Sequence, residues 1–145
     1  MMTYSEEIAD RICDVLAASD RGLQAICAAA DMPSVRTVYR WLEKNEAFRL
    51  KYFLAREAQA DFLADQIIEI ADDATNDYMT ITKGDETYNV VNREVLSRSK
   101  LRVDARKWKA SKLAPKKYGD KVDLTSGGEK LEVTVIRWGD KNIAV

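Results

Sequence analysis

The sequence predicts a mainly α-helical protein, with a β-hairpin between two long helices and a further strand near the C-terminus. Three observations carry that expectation. Apolar residues recur at helical spacing over much of residues 5–74 and again over about 92–113. Between those stretches, "YMTITKGDETYNVV" places β-branched and aromatic residues on two arms around Lys-Gly-Asp, which is a hairpin signal. Near the end, "LEVTVIRW" sets Leu131, Val133 and Val135 against Glu132 and Thr134, then Ile136, the period of a strand.

The N-terminal third reads as three short helices. In "SEEIADRICDVLAAS", Ser5 is a plausible N-cap with two Glu in the first turn, and Ile8, Ile12, Val15 and Leu16 share a face. Gly22 breaks the pattern, and "LQAICAAA" is a shorter second helix. "DMPS" supplies a turn, because Pro33 disfavours helix at Met32 and Ser34 can cap the next helix. That third helix, "VRTVYRWLEKN", puts Val35, Val38 and Leu42 on one face and Arg36, Thr37, Arg40 and Lys44 on the opposite one.

Three short helices with a tight turn before the third are the pattern of a helix-turn-helix, whose third helix enters the DNA major groove. On that reading Arg36, Thr37, Arg40 and Lys44 are the candidate DNA-binding residues. A guanidinium such as that of Arg40 can bridge guanine O6 and N7. Ser34 and the free N–H groups at the helix start suit a phosphate. The same residue types also decorate solvated helices that touch no DNA. Residues 5–53 carry 7 basic and 8 acidic groups, so one copy should bind weakly and lose affinity as salt rises. DNA binding by this head therefore calls for several copies at once.

From Glu46 to about Asp73 there is neither Gly nor Pro, and one helix of roughly 40 Å is expected. Phe48, Tyr52, Ala55 and Phe62, with the stripe Leu63, Ile67, Ile70 and Ala74, support it. It is too long to be buried by a three-helix head alone. The later helix, stopped by Pro115, carries two apolar stripes over residues 96–114. Leu101, Ala105 and Trp108 form one; Leu96, Val103, Ala110 and Ala114 lie nearly opposite, with Arg98, Arg102 and Arg106 running between. A helix apolar on two sides packs between two neighbours. The long acidic helix is one, and a second subunit is the economical choice for the other. Arg98, Leu101, Arg102, Ala105, Arg106 and Trp108 are accordingly the candidate oligomer interface.

Charge fits that arrangement. Residues 54–80 hold 1 basic and 7 acidic groups, a net of −6; residues 93–121 hold 11 basic and 3 acidic, a net of +8; the whole chain carries −1. Blocks of opposite sign on the two long helices should neutralise each other within one chain or between chains. The terminal strand, unable to satisfy its own backbone, is expected to pair with the hairpin or with another subunit.

Composition removes whole classes of function. With no His, triads, zincin helices and imidazole bases are excluded. "TKGDET" and "SGGEKL" lack phosphate-loop spacing. No enzymatic activity, cofactor or metal is expected. Asp72, Asp73 and Asp77 could hold Mg²⁺, but an acidic helix end facing the basic helix accounts for them more simply. Cys13 and Cys27 are read as buried reduced thiols. The N-terminus has no basic region followed by an apolar stretch, and no run spans a bilayer. The expectation is a cytosolic protein with no membrane partner.

"MPSVRTVYRWL" followed by "LRVDARKWKASKLAPKKYGDKV" resembles the small terminase subunit of tailed double-stranded DNA phages, over about residues 5–122. The resemblance implies a non-catalytic protein of the host cytoplasm that forms a homo-oligomeric ring. It would recognise viral double-stranded DNA and deliver it to a large terminase subunit holding the ATPase and nuclease. It also implies a helix-turn-helix domain at 1–53, a helical oligomerisation domain at 54–121, and a linker and strand at 122–145 that joins an intersubunit β-barrel. Arg40, in the "RW" pair, is the DNA-contact position. The hairpin at about 78–91 departs from the family pattern. A dimeric helix-turn-helix transcriptional repressor, with a palindromic site, is the alternative reading of the same head.

Overall fold

The computed structural model describes residues 2–120 in full and, beyond them, the backbone at 125–126, 129–130, 135–138 and 141–144. Its elements run α1 Glu6–Ala17, α2 Leu23–Ile26, α3 Val35–Lys44, α4 Glu46–Asp72, β1 Tyr78–Lys83, β2 Glu86–Val91, α5 Arg93–Leu113 and α6 Pro115–Tyr118. Four short strands complete the order: β3 Thr125–Ser126, β4 Glu129–Lys130, β5 Val135–Trp138 and β6 Lys141–Ala144.

Side chains cap the helices where the sequence places cap residues. Ser5 Oγ accepts from the Ile8 N–H at 3.5 Å, Ser34 Oγ from the Thr37 N–H at 3.3 Å, and Asn92 Oδ1 from the Val95 N–H at 3.4 Å. Each satisfies a donor that the first helical turn leaves without a partner. The second helix is shorter than expected. It closes after Ile26, and Ala28, Ala29 and Ala30 lie exposed in turns, since three alanines offer no apolar face worth burying.

Two clusters of buried side chains are strung along α4. In the head, Ile12, Leu16, Val38, Trp41 and Phe48 pack together with Ala9, Cys13, Leu23 and Ile26. Tyr4 meets the Trp41 ring edge-on at 5.3 Å, and Phe48 meets Tyr52 in the same way at 6.2 Å, a favoured geometry for aromatic pairs. The first turns of α4 are thus part of the head's core. The second cluster joins Ala60 and Leu63 of α4 to Ala110 of α5 and Ala114. Between the clusters lies Gln59, fully buried. Its amide donates to the Ser19 and Arg21 carbonyls at 2.8 and 2.9 Å, and its Oε1 accepts from Arg56 at 2.8 Å.

Strands β1 and β2 pair antiparallel from Tyr78 with Val91 to Lys83 with Glu86, matching the expected limits of the hairpin. Gly84 takes φ +64°, a conformation that L side chains rarely adopt. It occupies the first position of the two-residue turn, as tight hairpins favour. Thr80 bonds Asn89 at 2.9 Å and Thr82 bonds Thr87 at 3.2 Å across one face.

After α5, the short α6 folds back onto α4. Lys117 and the Tyr118 hydroxyl both donate to Asp61 Oδ1, at 2.5 and 2.6 Å. The turn is tight: a Cβ on Gly119 would collide with the Pro115 carbonyl oxygen. The C-terminal expectation is corrected in one respect. Within "LEVTVIRW", Val135–Trp138 is a strand, and its partner is β6 of the same chain, from Val135 with Ala144 to Trp138 with Lys141. It does not pair with the β1–β2 hairpin. Positions 131–134 lie outside the described residues. The stretch read as a Gly-rich linker contains a small ladder, β3 with β4.

Candidate nucleic-acid and assembly interfaces

The head shows α3 on its surface with one face sunk in the core. Val38 and Trp41 are buried, and so is Thr37, at 6% exposure. The inward face is turned toward Trp41 relative to the expected Val35–Val38–Leu42 stripe, and Thr37 goes in with it. The expectation that Thr37 points outward is therefore corrected. Its hydroxyl lies 2.9 Å from Ser34 Oγ and its N–H donates to the same oxygen, so Thr37 fixes the helix start. Ser34 itself is exposed but is already occupied as the cap.

The outward face consists of Arg36, Tyr39 and Glu43, with Arg40 half-buried beside them and Lys44 exposed at the C-terminal end. Tyr39, 59% exposed, and Glu43 were missed in the sequence. The signal was present: 36, 39, 40 and 43 follow the i, i+3, i+4, i+7 rule that places residues on one side of a helix. Chemically this face offers guanidinium donors, an acceptor and an aromatic ring within one stripe, the mixture that reads base edges.

On the body, α4 and α5 pack side by side in antiparallel sense. Ala64 and Ile67 line a cleft with Lys107 and Trp108; Ile70, Ala71 and Asp73 line another with Leu96, Ser99 and Val103. The predicted inner stripe of α5 is in contact at Ala110 and Ala114, which are buried, with Val103 half-buried, whereas Leu96 is 40% exposed. The other stripe is exposed, with Leu101 68% and Trp108 65% exposed and Ala105 exposed between them, although Trp108 and Ala105 border clefts shared with α4. Arg98 and Arg102 are exposed at its edge, with Arg98 bonded to Glu94 one turn earlier at 3.2 Å.

Arg106 departs from the expectation. Its side chain is 15% exposed, donating to Gln66 on α4 at 2.8 Å and to Asp20 of the head at 3.2 Å. It joins three segments of one chain rather than lying on the outer stripe, because position 106 falls on the α4 side of the wheel. The acidic cluster is likewise occupied in part: Asp73 Oδ1 accepts from the Thr75 N–H and hydroxyl. Those bonds hold the Asp73 carboxyl below its ordinary range. Among the described residues no group of His, Cys, Asp or Glu is arranged to hold a metal ion, and no helix is long and apolar enough to cross a membrane.

Residues 4–125 match the family model described as "Bacteriophage Sf6, terminase small subunit-like". The chain belongs to the terminase small subunit family. Small subunits of this family are non-catalytic. Three crystal structures of the terminase small subunit gp1 of the bacterial virus Sf6, each with one substitution, are similar to the chain. One is 36% identical, with 91% of this chain and 98% of that one covered and a TM-score of 0.62. The other two are 34% identical, cover 92% and 95%, and give TM-scores of 0.63. No curated protein is similar enough to count as a match.

Proposed function

We propose that this terminase small subunit is a ring-forming adaptor that recognises viral double-stranded DNA through α3 and hands it to the large terminase subunit for genome packaging. The observation that carries the DNA reading is the outward face of α3, where Arg36, Tyr39 and Glu43 stand exposed on a helix anchored from behind by Trp41. The three helices of residues 1–53 act as a helix-turn-helix domain. Arg36 and Arg40 donate to guanine edges or phosphates, Lys44 meets the backbone, and Ser34 with Thr37 sets the helix start that approaches a phosphate.

Residues 54–121 are the oligomerisation domain, and the exposed stripe of Leu101, Ala105 and Trp108 is its subunit contact, with Arg98 and Arg102 alongside. An apolar stripe of that size on a single helix needs a partner. Residues 122–145 carry the barrel segment. Among the described residues β5 and β6 pair only with each other, so the ribbon offers outer strand edges that a neighbouring copy can extend into a closed barrel.

The test is a salt titration of DNA affinity with Arg36→Ala and Arg40→Ala. Each variant is expected to bind more weakly. The slope of log K against log salt should fall by about 1 for each phosphate interaction that the substitution removes. Variants that bind as the parent does across the whole salt range would show that α3 is not the DNA surface.

A further inference from the structure

The outer stripe of α5 has a definite repeat. Arg98, Leu101, Ala105, Trp108 and Lys112 are spaced 3, 4, 3 and 4 residues apart, the seven-residue pattern of helices that pack lengthwise. A second stripe of the same kind runs down one side of α4. Asp61, Asp65, Ile68 and Asp72 are spaced 4, 3 and 4 apart. Ile68 is 61% exposed between exposed carboxylates. One stripe is apolar with cationic flanks, the other is acidic with an apolar centre. Asp61 is bonded to α6 of its own chain. Among the described residues Asp65 and Asp72 form no ion pair.

Within one chain the two stripes approach each other only at one end, where Asp61 and Lys112 line the same cleft. The side of α4 that touches α5 is Ala60, Leu63, Ala64 and Ile67, and the side of α5 that touches α4 is Val103 and Ala110. On the α5 stripe, Leu101 is 68% exposed, while Ala105 and Trp108 stand exposed at clefts that Leu63, Ala64 and Ile67 of α4 also line; the α4 stripe lies to the flank. We infer that the Leu101–Trp108 stripe of one copy docks on the Asp65–Ile68–Asp72 flank of the α4 helix of a second copy, head to tail. This rests on the ring reading above and names the surface that mates with Trp108.

Levels along the helix pair support the match. Ala64 and Ile67 lie level with Trp108, and Ile70 and Ala71 with Ser99 and Val103. A rotation about an axis along the pair preserves those levels. It brings Asp72 opposite Arg98 and Arg102 of the neighbour, Ile68 opposite Leu101 and Ala105, and Asp65 opposite Trp108 and Lys112. Lys112 already lies over the Trp108 ring at 5.9 Å, so its charge is placed at the edge of the apolar contact. Because the two surfaces differ, the contact is heterologous, and repeated rotation closes it into a ring rather than stopping at a dimer.

Charge reversal on each side tests it, with native mass as the readout at moderate salt and circular dichroism as the check on folding. Asp65→Lys with Asp72→Lys, and separately Arg98→Glu with Arg102→Glu, are each expected to give folded chains that no longer assemble. Mixing the two variants restores complementary charge at every contact and is expected to regenerate the large assembly with alternating chains. A parent ring that survives both reversals would overturn this interface while leaving the adaptor reading intact. So would folded variants that stay apart when mixed. A parent protein that is itself monomeric or a plain dimer would overturn the ring and the interface together.

Discussion

Gln59 is a polar side chain at a fully buried position, and all its hydrogen-bonding groups are used. Two backbone carbonyls from the turn after α1 and the Arg56 guanidinium converge on its amide. Leucine has nearly the same volume but offers none of these bonds, so the part-buried Ser19 and Arg21 carbonyls would each lose a donor. Each such loss costs about 1–3 kcal/mol. Gln59→Leu is therefore expected to lower stability by about 2 kcal/mol or more, read from the denaturant midpoint. A change within about 0.5 kcal/mol would mean that water replaces the bonds. Both cysteines are free thiols, but only Cys13 is buried as expected; Cys27 is half-buried. Burial first, and then Asp10 and Asp14, push the Cys13 thiol up to about 11, and burial also raises Cys27. Both are therefore held in the thiol form at neutral pH. Neither is poised for chemistry.

At the scale of the element, α6 is one turn long and owes its position to Asp61. Bonds from Lys117 and then Tyr118 hold the Asp61 carboxyl below its ordinary value of 3.8. A depressed folded-state value means that the contribution is present in full above the unfolded value and is lost as pH falls through the folded one. The melting temperature of the parent should thus drop more steeply below about pH 4 than that of Asp61→Asn. Parallel curves would show that the bonds hold α6 without stabilising the fold. The pair is largely solvent-exposed, so the effect is modest. Helix α4 has a different role among the elements. Phe48 and Ala55 belong to the head's core, Ala60 and Leu63 to the body's, and the uninterrupted helix carries the orientation of one into the other. Arg106 adds a second tie through Asp20 and Gln66.

For the molecule as a whole, the proposed function links the near-neutral head to the exposed stripe of α5. A near-neutral DNA-binding head gains affinity through copies held at high effective concentration, where avidity can exceed single-site affinity by about a hundredfold or more. Trp108→Ala is expected to weaken assembly. At equal chain concentration it should also lower DNA affinity by about a hundredfold, although Trp108 lies far from α3 in sequence and is not among the proposed DNA-binding residues. Fluorescence anisotropy with the same labelled duplex measures both proteins. Unchanged affinity in a dissociated variant would mean that single heads suffice.

The sequence by itself determined the main elements, α1, α3, α4, the hairpin and α5, but not α6 or the short strands β3, β4 and β6. Ser5 and Ser34 marked helix starts because a cap is a local event, and Gly84 marked the turn because only local backbone geometry demands it. The family was also legible, since "RVDARKW" and "PKKYGD" are long, unusual strings. The opposing stripes of α5 were legible because helical period alone separates them. Tertiary structure decided what each face meets. Thr37 and Tyr39 are two residues apart, and the rotation that buries one and exposes the other is set by where Trp41 finds its aromatic partners. Arg106 shares a run of arginines with Arg98 and Arg102, yet its guanidinium is captured by Asp20, 86 residues away. Strand β5 found its partner in Lys141–Ala144, a stretch too short and polar to announce itself. Local propensity fixes what a segment becomes. The direction it faces depends on groups remote in sequence, and only the packed chain brings those together.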